Sequence, residues 1–163
     1  MSEKFRIGIV GAGRGRSYFS PFAAMAETEV IAICDLDQSA LDQIGNQYQI
    51  KQRFTNYDDL LDQVDIVVLA TPENLHVPQS VQALQAGKHV ISEVTAAVSL
   101  DQCTELVQAV ESSSAQYMMA ENLCYQKSNI LIRNMVQQGV FGDIYFGEGE
   151  YVHDIKSLHH DGQ

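Results

Sequence analysis

Cations are scarce in this chain of 163 residues: Lys and Arg number 10 against 21 Asp and Glu, a formal net charge of −11 with His neutral. A sequence-independent grip on nucleic acid needs a cation at each phosphate contact, so nucleic acid is disfavoured as a partner, and an anionic membrane surface with it. Cysteine is equally sparse. Cys34, Cys103 and Cys124 are odd in number, far apart and form no CxxC pair, which argues against a disulfide framework or zinc ribbon and for a reducing compartment. Long hydrophobic runs are missing too: the longest are of strand length, far short of the roughly 18 residues needed to span a bilayer. The opening MSEKFRIGIVG enters a strand-like run with no basic region and no long apolar stretch, so no signal peptide is expected and the expected location is the cytoplasm. Only three prolines occur, with no repeats, low-complexity tracts or linkers.

What is present suits a globular fold. Apolar residues make up 45% and charged residues 19%, too little charge for a disordered chain. The length fits one domain, or one domain and a piece of another. Short apolar runs at 5–10, 30–34, 66–70, 89–92 and 117–120 alternate with longer amphipathic stretches. Continuous apolar segments of this length are the mark of buried parallel strands, and the alternation is that of successive βαβ units. Helices are expected over 39–48, with Asp37 as cap, and over 77–86, closed by Gly87. A further helix over 100–110 would carry Cys103, Leu106, Val107 and Val110 on one face. The expected fold is an α/β, doubly wound parallel sheet.

The first strand runs directly into a glycine turn, RIGIVGAGRGRSYFSPF. Gly11 and Gly13 match the first two glycines of a dinucleotide fingerprint, one for the tight turn and one for close approach of backbone to a pyrophosphate. The third position of GxGxxG is Arg16 rather than Gly. Either Gly15 takes the packing role in a shortened turn, or Arg14 and Arg16 add positive charge near the pyrophosphate. Asp35 ends the second strand 22 residues after Gly13, near the interval of ~20 residues at which an acid accepts hydrogen bonds from the adenosine ribose. The run DLDQSA contains no cation for a 2′-phosphate, so NAD is expected as the cofactor rather than NADP; Asp37 reads as a helix cap.

After about residue 122 the character changes. A helix is expected over 129–138, closed by Gly139, and then a half-exposed strand over 144–155 with period-two alternation. Gly147, Gly149, Tyr151 and His153 share one face of that strand. The expected division is a Rossmann nucleotide-binding domain over 1–122 and, over 123–163, a linking helix and the first strand of an incomplete α+β substrate domain. His159, His160 and Asp161 with His153 read as a polar chain end, and no metal is expected.

Three further runs, ATPENLH, GKHVISE and AEN, together with the glycine turn, resemble the Gfo/Idh/MocA oxidoreductases. The resemblance covers nearly the whole chain. It implies an N-terminal Rossmann domain, a C-terminal open-sheet domain, and a loop at Thr71, Pro72, Asn74 and His76 near the nicotinamide end of the cofactor. It also places Glu93 in the family's Glu-Lys-Pro motif, but Val94 and Thr95 stand where that family has Lys and Pro. The lysine commonly assists proton transfer at the substrate hydroxyl, and valine cannot. EVTAAVSL, AENLCY and GEGEYVHDIK are similar to a branch containing NAD-dependent α-N-acetylgalactosaminidases. That similarity implies that Glu121, Tyr151 and His153 are near a sugar site as substrate-binding or proton-handling groups, with Tyr125 an aromatic there. Three readings stay open. One is the NAD-binding portion of an enzyme oxidising a sugar or polyol by hydride transfer; another is a glycosidase working by oxidation, elimination and hydration; the third is a truncated domain that binds nucleotide or itself without catalysis. An unpaired sheet edge would favour a homo-oligomer.

Overall fold

The computed structural model describes residues 4–152 and 154. Among these residues six parallel strands form one sheet: β1 (Phe5–Val10), β2 (Thr28–Cys34), β3 (Gln52–Phe54), β4 (Ile66–Leu69), β5 (His89–Ser92) and β6 (Tyr117–Met119). Their spatial order is β3-β2-β1-β4-β5-β6, so the order reverses between β1 and β4, where open α/β sheets open a crevice at the carboxyl ends of the strands. Among the described residues seven helices intervene or follow: α1 (Ala12–Gly15), α2 (Phe19–Ala23), α3 (Gln38–Gln47), α4 (Tyr57–Leu61), α5 (His76–Gln85), α6 (Leu100–Glu111) and α7 (Lys127–Gln137).

Alternation along the strands builds two cores. Ile7, Ile9, Ile33 and Val68 pack with Ala12, Phe19, Phe22, Leu41 and Ile44 from α1, α2 and α3. On the other face Val10, Cys34, Val67, Leu69 and Val90 pack with Leu60, Val77, Leu84 and Leu106 from α4, α5 and α6. Each fully buried aliphatic side chain contributes about 1.5–3 kcal/mol. Asp37 and Ser99 cap α3 and α6 through bonds from Ser39 N (2.8 Å) and Gln102 N (3.2 Å). Gly87 ends the α5 turn at φ +71°, a conformation that glycine takes without strain.

The helix over 100–110 forms, and its expected apolar face packs only in part. Leu106 is buried in α6 and Val110 half-buried against the core, while Cys103 and Val107 are exposed, because the helix packs on α5 along a narrow stripe. Two elements, β3 and α4, lie in a stretch where no element is expected. β3 is a three-residue edge strand containing Arg53, whose guanidinium bonds Ile50 O (2.9 Å) and Asn46 Oδ1 (2.8 Å).

The chain divides into two compact units, residues 1–121 and 122–163. In the second, a 3₁₀ turn at Leu123–Tyr125 precedes α7, and Asn129 Nδ2 donates to Leu123 O at 2.7 Å. The strand expected over 144–155 is a correction: none of its described residues joins a sheet. Period-two patterning makes a strand only where a neighbouring ladder accepts its backbone bonds, and no neighbour pairs with this run among the described residues. Among the same residues no helix is long and apolar enough to cross a membrane.

Candidate functional site

A cleft of about 450 Å³ opens at the carboxyl edge of the sheet. One wall is the glycine turn. Gly11 has φ +91°, and a Cβ there would meet Ala70 C at 2.7 Å; its N–H donates to Cys34 O at 2.9 Å. Gly13 has nothing within 4 Å of the position a Cβ would take and lines the cleft. Gly15 is different, since a Cβ there would collide with Ile9 Cγ2. The turn is short, with α1 passing within four residues into a 3₁₀ segment at Arg16–Tyr18, so Gly15 and not Arg16 lies against β1.

Asp35 lines the cleft beside the glycine turn. Its Oδ2 accepts from Ala12 N at 2.7 Å and its Oδ1 from Asp37 N at 3.0 Å. Each carboxylate oxygen retains a second acceptor site, so the glycine turn and the β2 end hold the group in place without exhausting it. Next to it Cys34 is buried, and burial first, then the charges of Asp35 and Asp59, push its thiol up to about 11.

The arginines do not supply free charge to the glycine turn. Arg14 Nε donates to Glu93 Oε1 at 2.9 Å, and Tyr18 OH donates to the same oxygen at 3.0 Å. The Glu93 carboxylate raises the Arg14 pKa; burial first and then Glu93 raise that of Tyr18. Glu93 therefore clasps the end of β5 to the glycine turn. Arg16 is exposed and does not line the cleft.

Thr71 and Pro72, after β4, complete the far wall. Thr71 Oγ1 bonds Gln79 Oε1 at 2.6 Å, and Tyr57 OH donates to Gln79 O at 2.9 Å. His76 is behind this wall, 1% exposed, with Nε2 2.9 Å from Thr71 O and Nδ1 2.7 Å from Thr95 O. It joins the loops after β4 and β5 rather than facing the cleft. Asn74 is exposed in the 3₁₀ turn Glu73–Leu75.

The fold thus brings Gly11, Gly13, Arg14, Asp35, Thr71 and Pro72 to one cleft, with Gly15, His76 and Glu93 as its supports. Sequence reasoning missed Leu36, Thr55, Tyr57, Leu75 and Gln79 on its walls. Gln79 is one helical step from His76, a signal usable only once the start of α5 is fixed. Glu121 is half-buried just beyond β6 in the first unit; Tyr151 and Tyr125 are 73% and 71% exposed in the second. His153, like His159, His160 and Asp161, lies outside the described residues.

The class these features define is an α/β dinucleotide-binding domain: an open glycine position, a helix start and an anchored acid surround one crevice at the strand-order reversal. A family model described as "Oxidoreductase family, NAD-binding Rossmann fold" matches residues 5–121, and the chain belongs to that family, the Gfo/Idh/MocA oxidoreductases. It is an NAD-binding domain of that family. A relative named "Glycosyl hydrolase family 109 protein 1" from Shewanella sp. (strain MR-4) is 35% identical over 166 residues, covering 94% of this chain and 36% of its own length. The WlbA dehydrogenase from Bordetella pertussis, solved with NADH and UDP-GlcNAcA, superposes with TM-score 0.83 at 30% identity, over 89% of this chain and 43% of that one. Scyllo-inositol dehydrogenase from Lactobacillus casei, solved with NAD(H) and scyllo-inositol, gives 0.82 at 25% identity, over 87% and 43%. The chain thus spans little more than a third of that curated relative.

Proposed function

We propose that this chain is the cofactor-binding portion of an oxidoreductase acting on a sugar or polyol, with hydride transfer to NAD. The observation that carries the reading is the cleft itself, which the open face of Gly13 and the anchored carboxylate of Asp35 both line. Gly11 and Gly13 would let the backbone approach the pyrophosphate, and Asp35 would accept hydrogen bonds from the ribose diol. Thr71, Pro72, Asn74 and His76 would order the nicotinamide side. Bound NAD supplies the two-electron acceptor. Glu121, Tyr151 and His153 are proposed to bind the sugar and handle its proton, since Val94 has no proton to exchange. Residues 123–163 would begin the substrate domain.

A second reading rests on one observation, the 35% identity to a glycosyl hydrolase family 109 protein. Here the same cofactor would oxidise a sugar hydroxyl transiently, acidify the neighbouring C–H for elimination of the leaving group, and recover its starting state after water adds. Incubating the chain with NAD and either a polyol or an aryl α-N-acetylgalactosaminide separates the readings. Accumulating NADH with the polyol supports the first; release of the aryl group without net NADH supports the second. NAD binding with neither would mark a non-catalytic nucleotide-binding domain. We also infer a cytoplasmic location from the three free cysteines, and a homo-oligomer paired through the exposed edge of the sheet.

A further inference from the structure

A second cleft, of about 410 Å³, lies at the opposite, amino edge of the sheet. Parallel strands all begin there, so the topology gathers residues from three chain segments. Lys4 precedes β1, Asp65 precedes β4 and Lys88 precedes β5, and these strands are neighbours in the order β1-β4-β5. Lys4, Arg6 and Lys88, three of the ten cations of a chain carrying −11, line this one cleft.

Among the described residues its one lining carboxylate, Asp65, is already engaged. Asp65 accepts from Arg6 Nη2 at 2.6 Å, from Arg6 Nε at 3.1 Å and from Arg6 N at 2.9 Å. Asp65 is thus held chiefly by Arg6, with the charge of Lys88 acting on it more weakly. Among the described residues neither Lys4 nor Lys88 makes an ion pair or hydrogen bond through its side chain, although Lys88 is half-buried. His89 adds a third donor. Its Nδ1 accepts from Gln116 N at 3.1 Å, so the proton of the neutral ring resides on Nε2. Two ammonium groups and an imidazole N–H, with Asp65 engaged by Arg6 and no other carboxylate lining the cleft among the described residues, form a donor set for an anion, and lysine serves phosphate as a point charge.

We infer that this cleft binds a phosphate group, held by Lys4, Lys88 and His89 Nε2–H, at a site separate from the cofactor cleft. β1 spans six residues between the two edges, roughly 20 Å at about 3.3 Å per residue, beyond the reach of one pyrophosphate. The inference is independent of the reading of the cofactor site. The phosphate could be the free ion or part of a small phosphomonoester, and the test uses both.

The 163-residue chain is titrated with inorganic phosphate, and separately with glycerol phosphate, at constant ionic strength, following backbone amides by NMR. Saturable shifts at Lys4 to Arg6, Asp65 and Gly87 to His89 are expected with either. Tighter binding of glycerol phosphate assigns the site to phosphomonoesters, and equal binding to the anion alone. Lys4→Ala with Lys88→Ala should weaken binding about tenfold or more, the effect of removing two charge-assisted bonds. Both side chains lie at the cleft surface, so an unchanged thermal transition shows that the variant folds. Asp35→Ala should leave these shifts intact. Shifts that do not saturate, that chloride reproduces, or that centre on Gly11 to Gly13 and persist in the double variant would overturn the inference.

Discussion

Gly13 and Gly15 are two residues apart and do different work. A methyl at Gly15 would meet Ile9 Cγ2 on β1, whereas one at Gly13 meets nothing within 4 Å. Gly15→Ala should therefore destabilise the domain by about 1–3 kcal/mol, the range for overpacking, read from urea unfolding. Gly13→Ala should leave stability within about 1 kcal/mol of the parent, since alanine also favours the helix, yet weaken NAD binding by filling the open face. Equal effects on stability would contradict this division. The spacing of Gly11, Gly13 and Asp35 is legible in the sequence because Gly11 and Asp35 directly follow strand ends fixed by local pattern and Gly13 is two residues beyond the first of them. The partner of Arg14 is not, because Glu93 is 79 residues away and only the closed sheet brings them together.

Buried parallel strands are the elements most readable from the chain, since their unbroken apolar runs report burial on both faces. β3 and α4 were not readable: Gln52–Phe54 is an edge strand with a charge in it, and Tyr57–Leu61 is too short to show a period. Between elements, Arg6 of β1 holds Asp65 ahead of β4, and this hydrogen-bonded partner lowers the Asp65 pKa. A carboxylate depressed on folding stabilises above its unfolded value, about 3.9, and that contribution is lost as pH falls through the lower folded value. Asp65→Asn should thus be less stable than the parent at neutral pH, by less than about 1 kcal/mol because Arg6 is half exposed. The gap in melting temperature should narrow in acid. A gap that persists or widens in acid would contradict the pairing.

At the scale of the whole molecule, the sheet ends at β6 with Met118 and Met119 54% and 38% exposed. An open edge with apolar side chains favours pairing with a second copy, so light scattering at micromolar concentration should report a dimer or larger, and Met118→Lys should shift it toward monomer. A clean parent monomer would contradict self-pairing. The Rossmann unit is legible because its motifs are local; in the second unit the helix expected over 129–138 forms as Lys127–Gln137, with Gly139 at φ +71° after it, whereas the strand pattern over 144–155 carries no information about a ladder partner. The central claim concerns the cleft between the glycine turn and Asp35, and titration calorimetry with NAD tests it most directly. Saturable binding is predicted, weakened about tenfold or more by Asp35→Ala through loss of charge-assisted hydrogen bonds, with NADP weaker than NAD in the parent. Absence of NAD binding at any accessible concentration, or affinity unchanged by Asp35→Ala, would contradict it.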